Sequence, residues 1–326
     1  HKTWREYGAW AAGVCLGWLV FVSPNLWFNY KMNGSPFPNT SAAKQAEFAS
    51  LRDTPLLQRI LDFIYPLSAG IGLLLVPGTI FTIYLLAKRV RTDQRELVYW
   101  IAPVWMVAHI VLYAAQLPVS GQHGRYVMPI LPLFMLFGGG GTLAMVGAAI
   151  RWRKGQKTLQ VLARTATRSL LVAATLIAFI MWGVGATVYG GDVHSINAEM
   201  VTAAHWIAAN IPTDTPFATH DIGAIGYFAP RQLVDLAGLV SPEIVPIMYN
   251  PEAKMQLMQA RGVQYMMVSV LQLPIQANDP RLCPVYSTPA LNSPPELHMT
   301  VYRLVWDGHC PAMFPAVSSA AGNGSP

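Results

Sequence analysis

Charge is what this chain has least of. Asp, Glu, Lys and Arg together make up 12% of its 326 residues, about half the share usual in soluble domains. A water-soluble globular protein of this length is thereby excluded. Cysteine is scarce as well, three residues with no CxxC pair, which removes the zinc-ribbon and dithiol redox classes. The eight histidines are scattered and no HExxH occurs, so no metal site built from this chain alone is expected. GxSxG and the P-loop pattern are missing too, which argues against the hydrolase and nucleotide-binding motifs they mark. The opening residues HKTWR hold neither an initiator Met nor the apolar core of a signal peptide. The chain is therefore expected to be the later part of a longer protein.

What is abundant is apolar surface. Hydrophobic residues make up 53% of the chain and the mean hydropathy is +0.36, the composition of an integral membrane protein. About 20 residues of helix span a bilayer. Five runs reach that length, at 8–28, 64–87, 97–117, 126–152 and 169–189. Beyond residue 190, charges and turn formers recur every few positions. The expected fold is thus an α-helical membrane bundle of five transmembrane helices over 1–189, followed by a small extracytoplasmic α/β domain over 190–310 and a flexible tail over 311–326.

Basic residues orient the bundle. Lys88, Arg89, Arg91 and Arg95 fall between the second and third runs, and Arg151, Arg153, Lys154, Lys157, Arg164 and Arg168 between the fourth and fifth. Both loops should be cytoplasmic, with Lys2 and Arg5 placing the N-terminus on the same side. An odd number of crossings then puts the C-terminal domain outside a multi-pass plasma-membrane protein. Its charge agrees: five basic against ten acidic residues after position 190, and seventeen against six before it. The pI near 9.3 is a topology signal, and no nucleic-acid partner is read from it.

Within the C-terminal part, helices are predicted at 196–209, 222–228 (capped by Asp221) and 252–261, and strands at 215–218, 232–236, 265–269, 282–287 and 299–306. In this outer, oxidising setting Cys283 and Cys310 flank predicted strands and are expected to form a disulfide across the sheet, whereas Cys15 lies within the first run.

Two polar stretches interrupt the apolar pattern on the outer side. The loop 29–63 opens with NGSPFPNTSAAK at 33–44, where turn formers, hydroxyls and Lys44 sit between two spans. An amphipathic helix over 42–64, interrupted near Pro55, should lie along the interface, as a guide for a lipid tail or as a packing element. Pro24 and Asn25 suggest a kink or early unwinding of the first span. The second stretch is GQHGRY at 121–126. Arg125 is the only strong cation of that hairpin and suits a bidentate phosphate contact, or serves as an interfacial anchor. Gly138 to Gly141 form a small-residue patch for close helix contact. His109 reads as a hydrogen-bonded histidine of the bundle interior.

These residues resemble a known family. NY at 29–30, GSPFPNT at 34–40, Ala43 with Lys44, and GRY at 124–126 with Pro129 and Pro132 are similar to the C-terminal half of GT-C membrane glycosyltransferases. The nearest likeness is the polyprenyl-phosphate-dependent arabinofuranosyltransferase-like branch. HDIGAIGYF at 220–228 and VDLAGL at 234–239 resemble the extracytoplasmic domain of that branch. The resemblance implies sugar transfer from a polyprenyl-phosphate donor on the outer face, the donor meeting Asn39, Thr40 and Lys44 and also His123, Arg125 and Tyr126. It implies a catalytic Asp in an earlier loop, and any divalent cation would be bound by that upstream segment. No catalytic base is nominated here: Asp221 reads as a helix cap and Asp235 as structural. The alternative is a non-catalytic subunit on a GT-C-derived scaffold, packed with other membrane subunits in a larger assembly such as an energy-transducing complex.

Overall fold

Inside a bilayer no water bonds the backbone, so long apolar runs satisfy their amides only as helices. In the computed structural model, which describes residues 4–152, 157–289 and 298–310, the chain begins with α1 (Trp4–Asn33), α2 (Asn39–Glu47), α3 (Leu56–Ile64), α4 (Gly72–Val90), α5 (Ile101–Gln116), α6 (Leu131–Trp152) and α7 (Lys157–Ile196). Five stretches of helix are long and apolar enough to cross a membrane, within Gly8–Asn33, Gly72–Val90, Leu97–Gln116, Leu131–Ala148 and Gln160–Asn210.

The ends of these helices differ from the expected spans, each for a local reason. Helix α1 runs through Pro24 to Asn33 and does not unwind there. The second span starts at Gly72 because Tyr65–Ser68 form a 3-10 turn with proline in its first turn and Gly70 has φ +57°. The third begins as a 3-10 segment, Gln94–Trp100. The fourth starts at Leu131, since the residues before it are taken up by a turn in which His123 and Gly124 have positive φ. The fifth is 40 residues long, roughly 60 Å at 1.5 Å per residue and about twice the hydrocarbon thickness. Helix α7 is therefore longer than a single bilayer crossing needs.

The loop expected over 33–44 is shorter than that. Helix resumes at Asn39, leaving five residues between α1 and α2. The amphipathic segment is three pieces: α2, a 3-10 turn Ala49–Asp53, and α3 starting after Pro55.

The chain divides into two compact units, His1–Glu47 with Gly191–Pro326 and, separately, Phe48–Gly190. The break at residue 190 matches the change in sequence character; the one at residue 47 has no counterpart in composition. Within the second unit, α4 and α6 approach through glycines. A Cβ on Gly141 would lie 1.8 Å from the Gly78 carbonyl oxygen, and one on Gly78 would lie 2.1 Å from that of Gly138. Of the four-glycine patch, Gly138 and Gly141 make the contact while Gly139 and Gly140 face open space. The Thr82 hydroxyl donates to the Phe137 carbonyl at 2.7 Å across the same seam.

In the first unit, α7 passes through a π turn, Asn197–Val201, into α8 (Thr202–Asn210). There follow β1 (Phe217–Thr219), α9 (Ile222–Phe228), β2 (Leu233–Asp235), α10 (Pro251–Ala260), β3 (Tyr265–Val268), β4 (Leu282–Ser287) and β5 (Thr300–Leu304). The sheet order is β2-β1-β3-β5-β4, with β2, β1 and β3 parallel and β5 and β4 antiparallel. Side chains alternate between two cores. Phe217, Met267 and Val301 pack with Ile207 and Ile225 of α8 and α9, while Ala218, Met266 and Tyr302 pack with Met255 and Met258 of α10. The period of two thus places helices on both faces.

The π turn directs Glu199 into the domain, where its Oε2 accepts from the Met299 amide at 3.0 Å and from the Thr288 hydroxyl. Cys283 and Cys310 are bonded, with Cα atoms 5.6 Å apart. Cys310 follows β5 and is not in a strand, so the bridge ties the start of β4 to the segment after the sheet. Closing such a loop contributes about 3–4 kcal/mol in the chain-entropy account. The tail over 311–326 lies outside the described residues.

Candidate functional site

The six residues singled out as donor contacts fall in both units. Asn39, Thr40 and Lys44 lie on α2 in the first, and His123, Arg125 and Tyr126 lie in the turn before α6 in the second.

In the first unit, α2 is fixed to the α/β domain. The Asn39 amide donates to the carbonyls of Gly238 and, at 3.3 Å, Leu239. At the other end the Tyr249 hydroxyl donates to the Ala46 carbonyl at 3.0 Å and the Glu47 carbonyl at 2.5 Å. Ala43 is fully buried, which explains a small residue before the lysine. Thr40 is exposed. Lys44 Nζ pairs with Glu47 Oε2 at 2.5 Å, and its charge also acts on Asp221.

Asp221 corrects the sequence reading. It occupies the position before α9, yet its side chain makes no capping hydrogen bond. Oδ2 accepts instead from Gln272 Nε2 at 2.5 Å, and Oδ1 stands 3.8 Å from His220 Nδ1, beyond hydrogen-bond reach. Gln272 is itself held by its Oε1, which accepts from the Ser269 amide at 3.1 Å in a capping box after β3. Burial raises the Asp221 pKa, but His220 and Gln272, with the Lys44 charge, pull it below the usual carboxylate range. His220 Nδ1 is buried and has no hydrogen-bond partner.

The three parallel strands bring these groups together. His220 and Asp221 follow β1, Gly238 and Leu239 follow β2, and Gln272 follows β3. Open α/β sheets bind ligands outside the carboxyl ends of their strands. A cleft of ≈ 500 Å³ opens here, lined by Ile196, Met200, His220, Asp221, Tyr227 and Leu239 among others. Asp235, at the end of β2, is fully buried and satisfied: Oδ1 and Oδ2 each accept a backbone amide, from Ala237 and Val240, at 2.9 Å. It is a turn-forming carboxylate.

Residues 191–313 match the family described as Domain of unknown function (DUF8728). The DUF8728 match includes His220, Asp221 and Gln272, and excludes α2 and the turn before α6. No curated protein and no solved structure matches the chain.

In the second unit the turn before α6 is anchored from below. His109, 7% exposed, donates from Nε2 to the Tyr126 carbonyl at 2.8 Å, the interior role expected of it. Tyr126 packs on Tyr113 with ring centroids 5.5 Å apart. Above this, Gly121 and Gly124 have φ +73° and +72°, and His123 has φ +51°. A Cβ on Gly121 would come 2.8 Å from the Tyr126 ring and 3.0 Å from the Arg125 stem, so glycine lets the turn close on Arg125. The guanidinium is exposed, 5.0 Å from the Tyr126 ring centre, and donates to the Tyr126 hydroxyl at 3.3 Å.

Beside the turn lies a cleft of ≈ 500 Å³, lined by Gln58, Arg59 and Asp62 of α3 and by Ser120 and Gly121. Arg59 Nη1 donates to the Ala114 carbonyl at 3.1 Å, while its Nε is buried without a partner. Arg59 lies within the amphipathic segment expected over 42–64 and is not among the residues expected to meet a donor. Between α4, α5 and α6 runs an apolar groove of ≈ 670 Å³, walled by Leu86, Trp105, Leu136 and Phe137, with Arg89 at its margin. Among the described residues no cluster of three or more His, Cys, Asp or Glu is placed to hold a metal ion.

Proposed function

We propose that this chain is part of a GT-C-type membrane glycosyltransferase, moving a sugar from a polyprenyl-phosphate donor on the extracytoplasmic face of the plasma membrane. The observation that carries the reading is the cleft of Arg59 and Gly121 beside Arg125. It offers a buried guanidinium nitrogen without a partner and a second guanidinium held next to a turn with positive φ at three positions. Successive amides in such turns form concavities that suit anions, and arginine forks match phosphate oxygens. The apolar groove between α4, α5 and α6 is of a size and chemistry to take an isoprenoid tail. Lys44, committed to Glu47 and lying near Asp221, is a weaker phosphate ligand than the sequence suggested. The Cys283–Cys310 bridge supports an oxidising compartment for the α/β domain, in line with the loop charges.

Binding of polyprenyl phosphate to the protein in nanodiscs tests this. Each charge-assisted contact to phosphate is worth about 1.5–3 kcal/mol. Arg59→Ala and Arg125→Ala should therefore each weaken binding tenfold or more. Arg125→Lys should weaken it less, since it keeps the charge and loses the fork. Unchanged binding in Arg59→Ala and Arg125→Ala would remove the donor-site reading and leave the non-catalytic subunit in its place.

A further inference from the structure

We infer that the cleft over His220 and Asp221 is a binding site for the hydroxyl groups of a sugar. This rests on the transferase reading for the origin of the sugar; the recognition chemistry belongs to the cleft itself.

Three features converge on a hydroxylated, uncharged ligand. Asp221 Oδ2 is occupied by Gln272, which fixes the carboxylate plane, while Oδ1 makes no hydrogen bond and His220 Nδ1, 3.8 Å away, is buried and unpartnered. Buried polar atoms without partners are uncommon and call for one. A hydroxyl both donates and accepts, so one sugar hydroxyl can donate to Asp221 Oδ1 while accepting from His220 Nδ1–H, and with Nδ1 unprotonated a vicinal pair can donate one hydroxyl to each. A phosphate oxygen only accepts, and it would face a carboxylate held ionised. Charge thus selects against the anionic end of a lipid-phosphate donor and in favour of the sugar.

The walls fit the other half of a sugar. Ile196, Met200 and Leu239 are apolar, and Tyr227, 79% exposed, stands edge-on to Phe228 at 4.8 Å. Apolar walls with few, placed polar groups are the usual make-up of small-molecule sites, and ≈ 500 Å³ lies in their size range. The C–H faces of a sugar ring pack on such surfaces while its hydroxyls reach Asp221 and His220. Position supports the same use, because the cleft is lined by His220 and Asp221 after β1 and by Leu239 after β2, at the carboxyl ends of two parallel strands. Ile196 ends α7 and Met200 lies in the π turn that follows it, so both apolar walls are set by the same bend in the chain.

Saturation-transfer NMR on the whole chain in phosphatidylcholine nanodiscs, with a panel of methyl furanosides and pyranosides as probes, decides the matter. At least one glycoside should receive saturation, reduced fivefold or more in Asp221→Ala and in Tyr227→Ala. Inorganic phosphate at the same concentration should leave the signal unchanged. Tyr227 is exposed, so Tyr227→Ala keeps the test valid if Asp221→Ala fails to fold. No transfer to any glycoside, full transfer in Tyr227→Ala, or displacement by phosphate would each overturn the inference. Polyprenyl-phosphate binding in Arg59→Ala and Arg125→Ala is read on a different molecule, so glycoside binding with no effect there would sink the transferase reading and leave this site standing.

Discussion

The two kinds of structure in this chain put the same side chains to opposite uses. In the α/β domain Phe217, Met266 and Val268 are fully buried. In α1 and α7, Phe21, Phe179 and Trp182 are 86%, 66% and 76% exposed. A sheet with helices on both faces removes apolar surface from water by alternation, and the hydrophobic effect holds it together. Helices in lipid gain nothing from hiding leucine or phenylalanine, so they associate through close backbone approach and hydrogen bonds. The seam of Gly78, Gly138 and Gly141 with Thr82 between α4 and α6 is of this second kind. One sequence therefore folds under two sets of rules, divided by the solvent around each part.

The sharpest way to break that comparison is to truncate one phenylalanine of each kind. Phe217→Ala should cost about 3–5 kcal/mol, a large share of a domain's usual 5–15 kcal/mol, and should lower the melting temperature of the domain accordingly. Phe179→Ala in a nanodisc should change stability by less than about 1 kcal/mol. Equal losses would mean that Phe179 is packed against protein.

Glycines give a smaller effect with the same logic. Gly141→Ala drives a methyl toward a carbonyl 1.8 Å away and should destabilise the helical unit by about 1–3 kcal/mol. Gly139→Ala meets nothing within 4 Å and should be neutral, or stabilising by up to about 1 kcal/mol through helix propensity. Denaturation in mild detergent reads both.

The smallest effect concerns the domain surface. Arg281 donates to Asp279 and, through both terminal nitrogens, to Glu252 at 3.0 and 3.1 Å. Hydrogen bonds from Arg281 hold both carboxylates below their ordinary pKa. A depressed carboxylate adds stability that is present above its unfolded pKa and lost as pH falls through the folded one. Arg281→Gln should therefore lower the melting temperature at pH 7 by about 2–4 °C. The gap from the wild type should begin to narrow below about pH 4 and close once the pH has fallen through the depressed folded pKa values of Asp279 and Glu252; a gap of constant size across the whole acid range would show the contact to be packing and not charge.

How far the sequence alone reached follows from the same division. The apolar runs announced five crossings because lipid demands uninterrupted hydrophobicity, yet hydropathy measures solvent and not helix ends. It therefore missed the 3-10 turn Tyr65–Ser68, which lies within a mostly apolar stretch, and stopped α7 at its polar extensions. In the α/β domain the strand 282–287 and the helix 222–228 emerged at their observed bounds, since each is a short apolar-rich run set between polar or turn-forming residues. The candidate clefts were harder to see. Asn39 meets Gly238, and Asp221 meets Gln272, across long sequence separations that no local pattern records. Asp221 before an apolar helical run looks like a cap, and only the tertiary partner reveals another use. An HD pair directly after a buried strand was the available signal, because the carboxyl ends of parallel strands are where ligands bind. Arg59 gave no such sign; its unpartnered Nε exists only because α3 packs on α5.

The central proposal, drawn from the loop charges, is an orientation with the basic loops cytoplasmic and the α/β domain outside. Single-cysteine labelling on intact cells with a membrane-impermeant maleimide tests it most directly. Cys15 lies within an apolar helix and Cys283 is bonded to Cys310, so the background is low. Ser35→Cys and Gln259→Cys should be labelled, and Thr158→Cys should be labelled only after the cells are opened. Labelling of Thr158→Cys on intact cells, with Gln259→Cys protected, would contradict the orientation and the outer-face transferase built on it.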